Sequence, residues 1–357
     1  MYIYSSRGFY QKCFYKKKYK STHSCCNEQR LKLQDFTILP VMCRASRSAW
    51  ATSRANPFTS TYGLWRLPRV VSSYSLHQTY ASTKTSMQIT QLQASQATCS
   101  TQPQHVQIAA ERLASTGILK INLDFPDDDS QYLKQLVLNL HKYHGHMLPI
   151  THSASRGWFW DIRPSAANFQ TANCQARSET MEEFPWHTDC SYENPTPRYF
   201  ALQVLRPDRY GGGVLSLMNV QGLSERLSST TRVALMRPDY KITTPMEFYK
   251  QSKQHHITGN LFATDSDGRP SMRFRGDIVT ALNSNASQAL EDLKQCLTAA
   301  AAEPEITMHL SAVDLPERTI VLVDNRRWLH ARTDVKDPER HLRRIRWGAV
   351  PFPSISP

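Results

Sequence analysis

The chain has 357 residues, 40% of them hydrophobic, and a formal net charge of +13. That is enough apolar material for a sizeable core, but no run approaches the roughly 18–20 apolar residues a membrane-spanning helix needs. Residues 1–100 hold 14 Lys or Arg against two acids, and the rest of the chain holds 29 against 28, so the excess charge belongs to the leader and no nucleic-acid partner is expected of the folded part.

Residues 1–104 read as a basic, acid-poor leader and linker. From Phe36 to Ala110 there is no Asp or Glu, and 42–86 is Arg- and Ser-rich. That is the composition of a mitochondrial transit peptide. A mitochondrial address is expected if this leader is used, and a cytoplasmic one if translation starts at Met87. None of the eight cysteines forms a CxxC pair, so neither a zinc site nor a disulfide framework is indicated. Residues 88–104 are rich in Gln, Ser and Thr and read as linker, which leaves 105–357 as the domain.

Val106 to Ser115 has helical apolar spacing, stopped by Gly117. Residues 118–123 read as a strand, and Ser130 to His144 as a helix through Leu133, Leu136, Val137 and Leu140. His141, His144 and His146 cluster at its end, where imidazoles without a carboxylate partner suit the helix dipole. Trp158 to Arg163 is aromatic and ends on a charge, which fits a core strand or a pocket wall. Strands are expected over 197–206, 214–220 and 272–275, and a helix over 222–237. The segment 247–260 is polar and ambiguous. Asn285 to Ala302 is the clearest helix, with Ala289, Leu290, Leu293, Leu297 and Ala300 on one face. Thr319 to Val323 is strongly β-forming, and the last strand runs from Arg340 to Trp347. Strands on long connections, with helices before and between them, point to a jelly roll decorated by helices.

The stretch Trp186-His187-Thr188-Asp189 carries the chemistry. On a strand, residues two apart face the same way, so His187 and Asp189 share a face. They supply two members of a 2-His-1-carboxylate triad, the usual cage for non-haem Fe(II). His330 follows the best strand of the sequence. Beyond it, Arg340 and Arg344 share a face of the last strand. Arginine's planar fork is suited to binding a carboxylate.

Four stretches in order, His187-x-Asp189, Gly211-Gly212-Gly213, Asp324 to Arg332 and Arg340-x-Leu342-x-Arg344, resemble the taurine dioxygenase (TauD/TfdA-like) family. The resemblance covers residues 105 to 352. It implies a double-stranded β-helix (jelly-roll) core and an Fe(II)- and 2-oxoglutarate-dependent dioxygenase that uses O2, hydroxylates or desaturates an unactivated C–H, and releases succinate and CO2. It implies His187, Asp189 and His330 as iron ligands, with no catalytic group beyond the metal centre. It gives Arg340 or Arg344 the distal carboxylate of 2-oxoglutarate, leaving the other for its 1-carboxylate or an anionic substrate. The family commonly has threonine after its glycine turn. Here that position is Val214, with Ser216 two residues on as a stand-in. Trp160, Arg163, Trp186, Arg273 and Arg275 are candidate pocket residues by type and position, and the arginines would suit an acidic small molecule. Cys190, beside the site, reads as a packing residue. Two alternatives share the fold. A carnitine-pathway-type hydroxylase should carry clustered zinc-binding cysteines, whose spacing Cys13, Cys25, Cys26 and Cys43 lack. A catalytically silent binding or sensor protein should have lost the triad. Oligomeric state is not legible.

Overall fold

The computed structural model describes residues 87–151, 157–167, 169–171, 174–249, 255–265 and 267–354. The transit-peptide reading of 42–86 and Cys13, Cys25, Cys26 and Cys43 lie outside the described residues. The elements in chain order begin with β1 (Gln91–Ala94), α1 (Pro103–Thr116), β2 (Ile118–Leu123), α2 (Gln131–His144), β3 (Phe159–Ile162), β4 (Phe184–His187), β5 (Thr196–Arg206) and β6 (Leu215–Asn219). Next come α3 (Val220–Arg226), α4 (Ser229–Met236), β7 (Tyr240–Thr243), β8 (His256–Gly259), β9 (Phe262–Thr264), β10 (Pro270–Met272) and β11 (Val279–Ala281). The chain closes with α5 (Ser284–Ala300), β12 (Thr307–Leu310), β13 (Thr319–Asp324), β14 (Trp328–Arg332) and β15 (His341–Val350).

Period-two alternation in the central strands builds two sheets with a shared interior. The major sheet has the order β1-β2-β13-β5-β15-β3 and the minor sheet β12-β6-β14-β4. Their pairings are antiparallel apart from β1 on β2. On β5, Phe200, Leu202 and Val204 face inward, where they meet Leu215 and Leu217 of β6, Val321 and Val323 of β13 and Leu342 of β15. Tyr199, Ala201, Ile320, Leu322, Ile345 and Trp347 face outward and are covered by α1 and α2. The outer side of the minor sheet is covered by α3, α4, α5 and the smaller strands around Met218 and Leu329. This is the expected jelly roll with helical decoration.

Three local expectations need correction. Residues 88–104 are not a linker: β1 adds an edge strand to the major sheet, Ala94 is fully buried, and the Met87 amide donates to the Pro304 carbonyl. An edge strand needs only one apolar side chain facing the core, so polar composition did not reveal it. The helix expected over 222–237 is two helices. Ser228 is extended, and its hydroxyl accepts from the Thr231 amide as the N-cap of α4, a cap typically worth about 1 kcal/mol. The strand expected over 272–275 ends at Met272, after which the chain runs beside 187–189. There the Thr188 amide donates to the Phe274 carbonyl, and the Phe274 amide donates to the Thr188 hydroxyl.

Candidate metal centre

His187 closes β4 and His330 sits on β14, directly opposite it in the antiparallel register. Cross-strand partners share a face, and the two rings lie 4.0 Å apart between centroids. Asp189 follows two residues on. One ligand atom from each of His187, Asp189 and His330 falls within 4.8 Å of the others, and all three residues are buried. They are the one such cluster of His, Cys, Asp or Glu among the described residues.

The protonation states suit a cation. His187 Nδ1 lies 2.7 Å from the Pro185 carbonyl, which can only accept, so Nδ1 carries the proton and Nε2 keeps its lone pair. Burial holds His187 well below the usual imidazole range and His330 down to about 4, so both rings are neutral at physiological pH. His330 Nδ1 is buried with no hydrogen-bond partner. A buried polar atom without a partner is costly, and two neutral imidazoles with one carboxylate match the donor set of a divalent iron site. The residues fit Fe(II).

The carboxylate is held from two sides. Arg344 Nη1 donates to Asp189 Oδ1 at 2.9 Å. Asn325, on the β13–β14 turn, accepts from the Asp189 amide at 2.7 Å and donates to the Asp189 and Pro197 carbonyls at 3.0 and 2.9 Å. One side chain thus ties the ligand turn after β4 to the turn that leads into the strand carrying His330. Phe184 stacks on the His187 ring, with centroids 3.7 Å apart.

Inward from the triad runs a largely apolar cavity lined by Phe200, Leu202, Leu215, Leu342 and Arg340. The Arg340 guanidinium is buried. Its Nη2 reaches the Gly213 carbonyl at 3.5 Å, and its Nη1 has no partner. Burial draws this group down to about 10. A guanidinium with an unpartnered Nη1 lining an apolar cavity suits a carboxylate, so the residues also fit 2-oxoglutarate. On the outward side of the triad lie Tyr192, Phe248, Arg275, Arg344 and Arg346.

The other sequence candidates divide. Arg275 is at the site: it bridges to His187, forms a two-point ion pair with Asp277, and lies over the Phe184 ring. Trp160 is buried opposite Arg344 in register, meets the Phe248 ring and belongs to the interior cluster without lining the cavity. Ser216 does not belong to the cavity. Leu215 and Leu217 point inward, so Ser216 points out and bonds His309 Nδ1 at 2.7 Å. Trp186 is turned away from His187 and packs against the outer cluster. Arg163 is exposed just past the end of β3. The Arg273 guanidinium is used by the Asn260 carbonyl and the Phe352 ring. Among His141, His144 and His146, His146 accepts from Trp347 Nε1 and stacks on Tyr199. Sequence reasoning missed Phe184, Asn325, Arg346 and Phe248 as site residues. Asn325 lay inside a quoted motif, whereas Phe248 lies in the ambiguous segment and carried no signal.

The taurine catabolism dioxygenase TauD, TfdA family matches residues 121–346, more than half of the chain. No curated protein matches it. Among solved structures, it is similar to an asparagine oxygenase in complex with Fe(II), 2S,3S-3-hydroxyasparagine and succinate. That match has 17% identity and a TM-score of 0.53, covering 71% of this chain and 92% of the other. It is also similar to the non-haem iron oxygenase OrfP in complex with Fe and alpha-ketoglutaric acid, at 16% identity and a TM-score of 0.52, covering 69% and 80%. At such identities the likeness shows the fold. With its jelly roll and its His-Asp-His cage, the chain belongs to the TauD, TfdA family of 2-oxoglutarate-dependent non-haem iron dioxygenases.

Proposed function

We propose that this dioxygenase hydroxylates an unactivated C–H of a small anionic metabolite. His187, Asp189 and His330 hold the iron, and Arg340 holds the distal carboxylate of 2-oxoglutarate. One observation carries the assignment: two neutral imidazoles and a carboxylate converge, buried, at one end of a cavity whose other end is an unpartnered arginine nitrogen. When bound, iron with 2-oxoglutarate and O2 supplies the oxidising power, with succinate and CO2 as the spent products.

The chain's own residues do the positioning. Arg344 fixes the Asp189 carboxylate from one side and Asn325 fixes its backbone from the other. Phe184 shields the His187 ring, while Phe200 and Leu215 keep the inner cavity dry. On the outward side, Arg275 and Arg346 face the space left for substrate, with Tyr192 and Phe248 as its apolar wall. The Arg275 guanidinium is shared with Asp277 there, and a substrate carboxylate, sulfonate or similar anion would compete with that ion pair for it. The ligands in the solved relatives, 3-hydroxyasparagine and dihydroxy-arginine, are amino acids, which supports a carboxylate of that size.

Anaerobic addition of Fe(II) and 2-oxoglutarate is expected to produce the weak visible charge-transfer band of the chelate, and His187→Ala to abolish it. Absence of the band from the wild-type chain would overturn the enzyme reading and leave a binding or sensor protein. A panel of amino acids, sulfonates and neutral analogues, scored by coupled succinate release, tests the anionic preference. Turnover confined to neutral compounds would refute it.

A further inference from the structure

The interior of the jelly roll does not stop at Arg340. On the iron side its guanidinium closes the cavity that begins at His330. On its far side lies a second, partly open cavity that shares Leu202, Leu215 and Leu342 and adds Val204, Leu310, Leu315 and the carboxylate of Asp208. Gly213, Ser311 and Ala312 border it. Arg340 is therefore a partition between two spaces.

The partition is loosely held. Other buried arginines of this domain are tethered. Arg332 donates to the carbonyls of Ser178, Thr180 and Glu182, Arg326 to Thr196 and Val350, and Arg344 to Asp189. Arg340 has one long contact, to the Gly213 carbonyl at 3.5 Å, and Asp208, which lines the space behind it, acts on it only through its charge, with no ion pair between them. Its side chain leans on the bare face of Gly213, where a Cβ would stand 2.7 Å from Nε. At the next residue, Val214 brings no hydroxyl to share the load.

We propose that Arg340 is a movable end-stop, so that the co-substrate site takes a 2-oxo dicarboxylate one methylene longer than 2-oxoglutarate nearly as well as 2-oxoglutarate itself. The proposal rests on the 2-oxoglutarate reading above. A longer acid displaces the guanidinium into the space behind it, and the single long contact to Gly213 is all that is given up. An unyielding pocket rejects one extra methylene by about 10–200-fold. With 2-oxoadipate, O2 and a substrate C–H, the balanced products are glutarate, CO2 and the hydroxylated substrate. One oxygen atom enters the new carboxylate and the other the hydroxyl.

Calorimetric titration of the anaerobic Fe(II)-loaded full chain with each acid tests this without turnover. The dissociation constants of 2-oxoadipate and 2-oxoglutarate are expected to lie within about tenfold of each other. A wider gap, with 2-oxoglutarate binding, overturns the end-stop, whereas failure of 2-oxoglutarate itself to bind overturns the functional reading instead. Leu315→Trp, which fills the space behind Arg340, is expected to weaken the longer acid by about tenfold more than the shorter one. Ala312→Leu fills the same space should the tryptophan disturb folding. Equal weakening of both acids by a folded variant would show that the space is not used and refute the proposal.

Discussion

At the scale of the residue, the site depends on side chains that touch no iron. Asn325 spends its oxygen and its NH2 group on the backbone around Asp189 and Pro197. In Asn325→Asp the acceptor survives, but two buried carbonyls lose their donor and meet a carboxylate. Outer-shell partners of metal ligands are typically worth about 10–100-fold in affinity, and a loss of that size is expected for Fe(II) here. Titration with Fe(II), alongside a thermal melt of the metal-free chain, separates lost positioning from lost folding. The iron ligands were legible because the i, i+2 spacing and the strand before His330 are local features. Ser216 and Trp186 were misplaced for want of one bit of information, which face of the pleat each occupies, and Arg163 because β3 ends one residue before it. That bit is set by register: shifting a strand by one residue exchanges its faces. Asn325 was visible as a letter in a motif, but its partner lies 136 positions away.

At the scale of the element, the turn before β6 is set by glycines against which neighbouring groups pack closely. A Cβ on Gly212 would meet the backbone of Asp334 and Lys336, and Gly213 has φ +59 with Arg340 against it. Gly213→Ala pushes Arg340 off its rest, so affinity for 2-oxoglutarate should fall by about tenfold while Fe(II) binding holds, as two titrations would show. At the end of α2, burial draws His146 down to about 4, with Arg198 and His144 adding to the effect, and the neutral ring accepts from Trp347 of β15. Its folded pKa lies below its unfolded value near 6.5, so the unfolded chain binds more protons as pH falls between the two. Stability from this group is complete above about pH 6.5 and is lost by about pH 4, by up to about 3 kcal/mol. With the metal site kept loaded, His146→Gln should flatten the dependence of the urea midpoint on pH in that window. A slope equal to wild type would count against the assignment. Helix α5 was read to within one or two residues at each end, because its apolar face repeats cleanly. The break between α3 and α4 was invisible, because Ser228 resembles any polar helix residue until its hydroxyl is seen to cap the second helix.

At the scale of the whole molecule, the jelly roll was legible from alternation in β5, β13 and β15, but its true beginning was not. A chain starting at Met87 keeps β1 and the contact to Pro304, and should bind iron as the full chain does. A chain starting at Ser95 exposes the edge of β2 and the core around Leu92, and should melt several degrees lower, roughly what a loss of one or two kcal/mol produces. The inner face of β15 has a wider consequence. It points Arg344 and Arg346 into the jelly roll, with Arg340 buried just ahead of the strand and in no ion pair among the described residues. An anion that settles there stabilises the folded chain by mass action, about 2.7 kcal/mol at a hundred times its dissociation constant. Quality-control proteases draw on the unfolded fraction, so such a margin changes protein abundance several-fold. The half-life of this enzyme in a cell should therefore follow the supply of 2-oxo acids, lengthening when they are abundant and shortening under starvation, independent of transcription.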